Sequence, residues 1–305
     1  MIDLLRAEKW NALKFGLVLA GGGAKGSYQA GVLSVLFELD IADKISAVSG
    51  TSVGALNTLS IALGRKELCP EVWESIGFKD VLVRNEKENR TKVRAFLREL
   101  SNQNIKLSDI DAVLAYASRE GKSIFTQQGL RAMLERELDF AALRASAKEL
   151  YVCAYDIAGG QPEYFHLSEL TNEEVISATL ASCAVPYVFP PVQLRGRAYA
   201  DGGINARSYA AQNADNTPLS PLLQHHLDAI LVVHLRPDAP DCDAPTDGPK
   251  VINLRPSASL EPVRGTGSLN FSRSAIDAHM RLGREDALGF LSPMVFSYLS
   301  GETLA

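Results

Sequence analysis

The chain has 305 residues, of which 46% are hydrophobic and 22% are charged, and its formal net charge is −5. A chain of this length and composition can bury the core of one large domain, so a disordered polypeptide is not expected. The acidic balance argues against a nucleic-acid-binding protein, because affinity for a phosphate backbone depends on clustered Lys and Arg. We therefore expect a folded domain without a nucleic-acid partner.

The beginning of the chain and its cysteines favour a cytoplasmic protein. Residues 1–14 mix charged and apolar side chains, and the apolar run 15–20 is too short for the core of a signal peptide. No stretch reaches the roughly 18 apolar residues that a membrane-spanning helix needs. The four cysteines are widely spaced without a CxxC pair, so we interpret them as free thiols. Secretion by a route without a signal peptide is the alternative that this pattern leaves open.

Two strand-turn-helix units come first along the chain. The run FGLVLA at 15–20 is typical of a buried strand, and a glycine-rich turn and a helix over about 27–39 follow it. A second apolar run at 45–48 leads into GTSVGALNTLSIAL, which again predicts a tight turn and a helix. Two such units in succession predict an α/β fold with a parallel sheet covered by helices.

The rest of the chain divides into three parts. Residues 67–144, approximately, have a mainly helical pattern and are predicted to be an insertion. Strand-like runs return at 149–155 and 229–235, so the main domain is predicted to cover residues 14–235. Residues 236–305 begin with a Pro/Asp-rich loop and are predicted to pack on that domain as a helical extension.

The first motif with chemical meaning is the GxSxG sequence at positions 50–54. It consists of Gly50, Thr51, Ser52, Val53 and Gly54 and lies between a predicted strand and a predicted helix. A serine on such a sharp turn exposes its hydroxyl at the edge of the sheet, and the flanking glycines allow close backbone approach. The amide of Val53 lies where negative charge develops on an attacked ester carbonyl. The sequence therefore predicts a nucleophile elbow with Ser52 as the nucleophile.

The second motif is the glycine-rich turn after the first strand. Its residues are Gly21, Gly22, Gly23, Ala24, Lys25 and Gly26. Consecutive amides in such a turn can hold an oxyanion or a phosphate. The same residues satisfy GxGxxG, so a dinucleotide site is the alternative. A dinucleotide site requires an acidic residue at the end of the second strand, but here that strand leads into Ser52, which favours an oxyanion hole.

The third motif is Asp201-Gly202-Gly203, which follows a short apolar segment. An ordinary Asp-Gly turn is its structural interpretation, and a catalytic carboxylate is its functional one. A serine nucleophile needs a base, most often histidine. The order Ser52, Asp201, His234 matches the triad of an α/β-hydrolase, so His234 is the candidate base of an alternative mechanism.

Together the three motifs resemble those of the patatin-like phospholipase family. The turn at 21–26 is similar to its oxyanion loop, the elbow at 50–54 to its nucleophile motif, and residues 201–203 to its DGG motif. The segments ASCAVPYVFPP at 181–191 and NTPLSPLL at 216–223 also resemble family blocks, and the resemblance covers roughly residues 14–235. Twelve residues separate Gly203 from Asn216, more than the family typically has.

The resemblance implies a three-layer α/β/α fold with a mainly parallel central sheet and a helical insertion. It also implies a catalytic dyad of Ser52 and Asp201, without a cofactor or a metal ion, that cleaves acyl esters of phospholipids or lysophospholipids. A lipid substrate is implied as well, and transient contact with a membrane surface is plausible. The apolar residues of 288–305 are candidates for that contact, although such residues more often pack against the core or a partner. The alternatives are an esterase or thioesterase with a triad completed by His234, and a non-catalytic lipid-binding protein. The sequence identifies no regulatory partner.

Overall fold

The computed structural model describes residues 4–64, 68–84, 98, 102, 123, 125–186, 188–203, 214–261 and 267–300. Its helices are α1 (Leu4–Ala12), α2 (Ser27–Glu38), α3 (Val53–Ala62), α4 (Leu68–Ser75), α5 (Phe78–Val81), α6 (Gln128–Glu137), α7 (Phe140–Ala145), α8 (Asn172–Ser182) and α9 (Arg273–Ser300). Its strands are β1 (Phe15–Leu19), β2 (Ile45–Thr51), β3 (Val83–Arg84), β4 (Phe125–Thr126), β5 (Glu149–Asp156), β6 (Gln161–His166), β7 (Val192–Leu194), β8 (Arg197–Asp201), β9 (Ala229–Val233) and β10 (Lys250–Leu254).

The described strands form one large mixed sheet and one small two-stranded sheet. The order in the large sheet is β10-β9-β1-β2-β5-β8-β7, and β6 pairs with β5 as well. Strands β10, β9, β1, β2 and β5 run parallel to one another, whereas β6, β7 and β8 join by antiparallel pairing. Strands β3 and β4 pair separately. The two leading strand-turn-helix units are therefore confirmed as neighbours in a parallel arrangement.

The sheet is buried on both faces, as its strand sequences require. In β1, Leu17 and Leu19 belong to the large core under the helices, whereas Val18, between them, belongs to a smaller core on the opposite face. Successive side chains of a strand point to opposite faces, so a run without polar residues is expected when both faces are covered. On the smaller face the covering segment includes Leu219 and Leu222, beside a short 3₁₀ turn. The predicted three-layer α/β/α class is confirmed.

Within the described residues, the predicted helical insertion contributes helices α4 to α7 and the two-stranded sheet of β3 and β4. Residues 67, 85–97, 99–101, 103–122 and 124 of that prediction lie outside the described part of the chain. Helix α6 carries two buried leucines, Leu130 and Leu134, one turn apart, which face the core. This spacing places both side chains on one face of the helix.

The C-terminal part packs closely on the domain. Strand β10 pairs with β9, and the long helix α9 packs along α2. The two helices approach within backbone contact, because a Cβ added at Gly283 would lie 2.0 Å from the carbonyl oxygen of Tyr28. Helix α2 begins directly after the glycine-rich turn, so α9 stabilises the element that carries this turn.

None of the helices in the described residues is long and apolar enough to cross a membrane.

Candidate active site

Ser52 lies at a sharp turn between β2 and α3. Its backbone has φ 56° and ψ −122°, a conformation that side-chain-bearing residues rarely adopt. The turn also requires a very close approach, since a Cβ at Gly54 would lie 2.0 Å from the carbonyl oxygen of Leu19. A backbone held in this way, directly after a strand and before a helix, has the geometry of a nucleophile elbow.

The register of the sheet brings Asp201 to the end of β2. Strand β2 pairs with the first part of β5, where Thr51 lies opposite Cys153. Strand β8 pairs antiparallel with the last part of β5, along the same edge that β2 occupies. Its last residue, Asp201, lies opposite Ala154, the residue after Cys153. The ends of the two strands therefore meet, and Ser52 follows directly after Thr51. Sheet pairing, rather than proximity in sequence, places the hydroxyl and the carboxylate side by side.

The carboxylate of Asp201 is almost completely buried, with 4% of the residue exposed. Burial raises its pKa from 3.8 to about 6, although the Ser52 hydroxyl and the amide of Gly203 both lower it. The Gly203 amide donates to Oδ1 at 2.8 Å, whereas Oδ2 has no hydrogen-bond partner within the described residues. An ionised, buried and under-coordinated carboxylate beside a serine is a suitable proton acceptor.

The glycine-rich turn offers fewer free amides than the sequence predicts. The amide of Gly21 donates to the carbonyl oxygen of Asn216 at 3.1 Å, and the amide of Lys25 donates to that of Gly22. The amides of Gly22 and Gly23 have no acceptor within the described part of the chain. Both glycines line the cavity in front of Ser52, whereas Ala24 and Gly26 are not among its described lining residues.

A further donor comes from the elbow itself. Val53 is the first residue of α3, and the first amides of a helix have no acceptor inside the helix. Val53 also lines the cavity beside Ser52. The candidate oxyanion donors are therefore Val53, Gly22 and Gly23, supported by the positive end of the α3 dipole.

Lys25 and Gly23 are held by the C-terminal part of the chain rather than facing solvent. The Lys25 Nζ donates to Glu261 Oε1 at 2.8 Å, and the Lys25 side chain is 7% exposed. Gly23 has φ 59°, and a Cβ there would lie 2.1 Å from the carbonyl oxygen of Ser268. His279 of α9 contacts Ser27 at the start of α2. These contacts fix the glycine-rich turn, and no sequence signal predicts them, because their partners lie far beyond the motif.

Asn216 connects two of the motifs. Its Nδ2 donates to the carbonyl oxygen of Gly21 at 3.2 Å, which complements the Gly21 amide bond to the Asn216 carbonyl. The amide of Asp215 donates to the carbonyl oxygen of Gly202 at 2.9 Å. The extra residues between Gly203 and Asn216 are mostly outside the described residues, but the chain on their far side returns to the DGG motif. The long spacing between Gly203 and Asn216 therefore does not separate the DGG motif from the segment that begins at Asn216.

Ser52 and Asp201 line a cavity of about 1370 Å³. One wall is apolar and comes from α3, α4, α6 and the segment after α6. It includes Leu59, Leu63, Trp73, Leu130, Met133 and Leu138. The polar residues of the lining, which we call the polar wall, include Lys25, Arg236, Asp238, Ser259 and Glu261. A cavity of this size with one apolar and one polar wall can accommodate an amphipathic molecule.

The residues that compete for the catalytic roles are not suitably placed. His234 is 2% exposed, its Nε2 bonds to Asn253 Oδ1 at 2.8 Å, and burial lowers its pKa. No histidine is among the described residues that line the cavity. Cys183 does line it, but burial raises the pKa of its thiol well above the usual value, so it remains protonated. Within the described residues, no three His, Cys, Asp or Glu side chains are grouped as a metal site.

The chain belongs to the patatin-like phospholipase family, whose sequence pattern matches residues 17–223. It is 27% identical over 200 residues to triacylglycerol lipase 4 of Saccharomyces cerevisiae, which covers 62% of this chain and 20% of that lipase. The chain thus spans only a fifth of the length of this curated relative.

Three solved structures are similar to the chain at low sequence identity. VipD from Legionella pneumophila is 17% identical, with 90% of this chain and 67% of that chain covered and a TM-score of 0.42. Human GIVD cytosolic phospholipase A2 is 12% identical, with 95% and 60% covered and a TM-score of 0.45. ExoU of Pseudomonas aeruginosa, in complex with SpcU, is 19% identical, with 94% and 52% covered and a TM-score of 0.41.

Proposed function

We propose that the protein is a serine lipid acyl hydrolase that cleaves acyl esters of phospholipids or lysophospholipids through a Ser52–Asp201 dyad. The observation that carries the proposal is the meeting of a strained serine turn with a buried carboxylate whose pKa is about 6, on the wall of a large, partly apolar cavity. Membership in the patatin-like phospholipase family supports the same class of reaction.

The reaction begins with transfer of the Ser52 hydroxyl proton to the Asp201 carboxylate as the serine oxygen attacks the ester carbonyl carbon. The negative charge that moves to the carbonyl oxygen is stabilised by the amides of Val53, Gly22 and Gly23. The ester C–O bond then breaks, and the leaving alcohol or lysolipid takes the proton from Asp201. Water then attacks the acyl carbonyl carbon while Asp201 accepts a proton from it. The bond between the acyl carbon and Ser52 Oγ breaks, Ser52 Oγ takes the proton back from Asp201, and the fatty acid is released.

The apolar and polar lining residues of the cavity suggest where the two ends of a lipid substrate bind. The apolar wall formed by α3, α4 and α6 accepts the acyl chain, and the polar wall beside Lys25 and Arg236 faces the rest of the lipid. Leu269, which is 36% exposed, also lines the cavity. Transient contact with a membrane surface, a cytoplasmic location and the absence of a cofactor remain predictions.

A dyad is favoured over the Ser-Asp-His triad of an esterase or thioesterase because the His234 ring bonds to Asn253 and does not line the cavity. Triacylglycerol is a second candidate substrate, because the curated relative is a triacylglycerol lipase.

The test is fatty-acid release from phosphatidylcholine vesicles, lysophosphatidylcholine micelles and a triolein emulsion, each with and without chelator. We expect release by the wild type that survives chelator and His234→Ala and is abolished in Ser52→Ala and Asp201→Asn. Loss of release in His234→Ala, with the fold retained, would show a triad instead. Absence of release from every lipid, together with a Ser52 that a fluorophosphonate does not label, would show a non-catalytic lipid-binding protein.

A further inference from the structure

Ser182 is the last residue of α8 and is fully buried. Its Oγ accepts a hydrogen bond from the Ser52 amide at 2.8 Å and donates one to the carbonyl oxygen of Cys153 at 2.5 Å. Ser182 is not among the described residues that line the cavity, so it lies behind the nucleophile rather than beside the substrate.

The position of this hydroxyl is set by the strained turn. The ladder between β2 and β5 ends at the pair Thr51 and Cys153, because the backbone of Ser52 turns away with φ 56°. The turn leaves a buried amide on Ser52 and a buried carbonyl on Cys153 that require partners. A hydroxyl satisfies both, since it can accept and donate at the same time. Ser182 therefore replaces the direct hydrogen bond that a continuing ladder would have formed.

The segment that follows α8 also holds the other member of the dyad. The carbonyl oxygen of Ala184 accepts from the Asp201 amide at 3.0 Å. Residues 182–184 thus contact the backbone of both Ser52 and Asp201, one through a side chain and one through the main chain. A displacement of this segment would change the distance between the hydroxyl and the carboxylate.

We propose that Ser182 is a positioning residue that holds the Ser52 turn in its reactive geometry through the Ser52 amide. The inference rests on the proposed function, because it takes Ser52 as the nucleophile. It predicts that Ser182 affects the rate of the chemical step and leaves substrate binding unaffected, since its side chain does not line the cavity.

The experiment compares Ser182→Ala and Ser182→Cys with the wild type in ester hydrolysis and in the rate at which a fluorophosphonate labels Ser52. We expect kcat and the labelling rate of Ser182→Ala to fall by about 10- to 100-fold, the order of loss caused by a small misplacement of reacting groups, with KM within twofold. The thiol of Ser182→Cys is a weaker donor and acceptor, so its rates should lie between those of the other two forms.

Thr179→Val is the matched control. Thr179 lies in the same helix, is fully buried, and donates from Oγ1 to the Val175 carbonyl oxygen at 2.8 Å, without contact to the dyad. We expect this variant to keep the wild-type kcat and labelling rate. Equal rate losses in Thr179→Val would mean that a general loss of stability explains the effect.

The outcomes separate the two proposals. Unchanged kcat and labelling in Ser182→Ala, beside an inactive Ser52→Ala, would overturn the positioning role and leave the proposed function intact. A wild type that neither hydrolyses lipid nor reacts with the fluorophosphonate would refute the proposed function and the positioning role with it. If Ser182→Ala does not fold, Ser182→Cys decides, and wild-type rates in that variant, whose sulfur bonds only weakly, would overturn the role.

Discussion

Replacing Asp201 with asparagine should abolish activity and stabilise the fold at neutral pH. Burial raises the pKa of Asp201 from 3.8 to about 6, so the folded protein holds an ionised carboxylate at pH 7 in a place that favours the protonated form. A shift of about two pKa units corresponds to roughly 3 kcal/mol of destabilisation at pH 7. The asparagine side chain would retain the bond from the Gly203 amide but leave its Nδ2 where the aspartate Oδ2 has no partner. We therefore expect a net gain of about 1–3 kcal/mol.

Because the pKa of Asp201 is raised in the folded protein, the stability gained in Asp201→Asn should increase as pH rises. Below about pH 4 the carboxyl group is protonated in both folded and unfolded chains, so wild type and Asp201→Asn should be about equally stable. Between pH 4 and 6 the unfolded chain loses this proton while the folded chain keeps it, so wild-type stability falls relative to the variant. Above the folded pKa of about 6 the difference should be constant. Catalysis requires the ionised form, so wild-type kcat/KM should fall as pH drops below about 6.

The assay is urea and thermal unfolding of both proteins from pH 4.0 to pH 7.5. Asp156→Asn is the control, because that buried carboxylate accepts from the amides of Ala158 and Gly159 and from Arg197 at 3.1 Å. Loss of those charged contacts should destabilise the control by about 1–3 kcal/mol at pH 7. The reasoning would be refuted if Asp201→Asn were no more stable than the wild type at pH 7. It would also be refuted if the gain in stability at pH 4 were as large as the gain at pH 7.

Three further predictions concern the glycine-rich turn and the lining of the cavity. Lys25→Met removes the ion pair with Glu261 and should lower the free energy of unfolding by about 2–3 kcal/mol, measured by urea titration. An unchanged free energy of unfolding would contradict a stabilising ion pair. Gly23→Ala places a Cβ 2.1 Å from a backbone oxygen at φ 59°, so labelling of the serine by a fluorophosphonate should slow at least tenfold; unchanged labelling would exclude this turn from the oxyanion hole. Met133→Trp narrows the cavity and should lower kcat/KM for palmitoyl esters more than for butyryl esters. The control Glu135→Trp, on the exposed side of the same helix, should change neither value. Equal effects of Met133→Trp on both chain lengths would mean that the acyl chain binds elsewhere.

The sequence predicted the elements whose signals are local. The buried run before the glycine-rich turn and the GxSxG between strand and helix are confirmed as β1, β2 and α3. Each depends on residues within a few positions of one another, such as the glycines that permit close backbone approach. Strand-like runs at 149–155 and 229–235 are likewise confirmed as β5 and β9.

The sequence did not predict the features that depend on distant pairing. Strand β8 is only five residues long, and its side-by-side position with β2 results from both sharing an edge of β5. Strand β10 lies in the segment that was predicted as a loop and helical extension. No local pattern shows which amides of the glycine-rich turn already donate a hydrogen bond, because the acceptor of the Gly21 amide is the carbonyl oxygen of the distant Asn216.

Ser182 is the functional candidate that motif reasoning missed, although it lies inside the segment 181–191 that resembles a family block. A buried serine at the end of a helix has no sequence signal of its own. Only the three-dimensional structure shows that its hydroxyl lies between the end of one strand and the edge of another.

The shared edge of β5 also has a consequence for how the protein folds. Ser52 and Ser182 are 130 residues apart, and Asp201 comes from a strand that joins β5 later in the chain. Contacts between distant parts of a chain generally form late, because closing a long loop costs conformational entropy before any contact compensates for it. A refolding chain should thus acquire its helices before its serine becomes reactive. During refolding, we therefore expect labelling of Ser52 by a fluorophosphonate to appear later than the circular dichroism signal of the helices. The time at which labelling appears would mark the completion of the sheet.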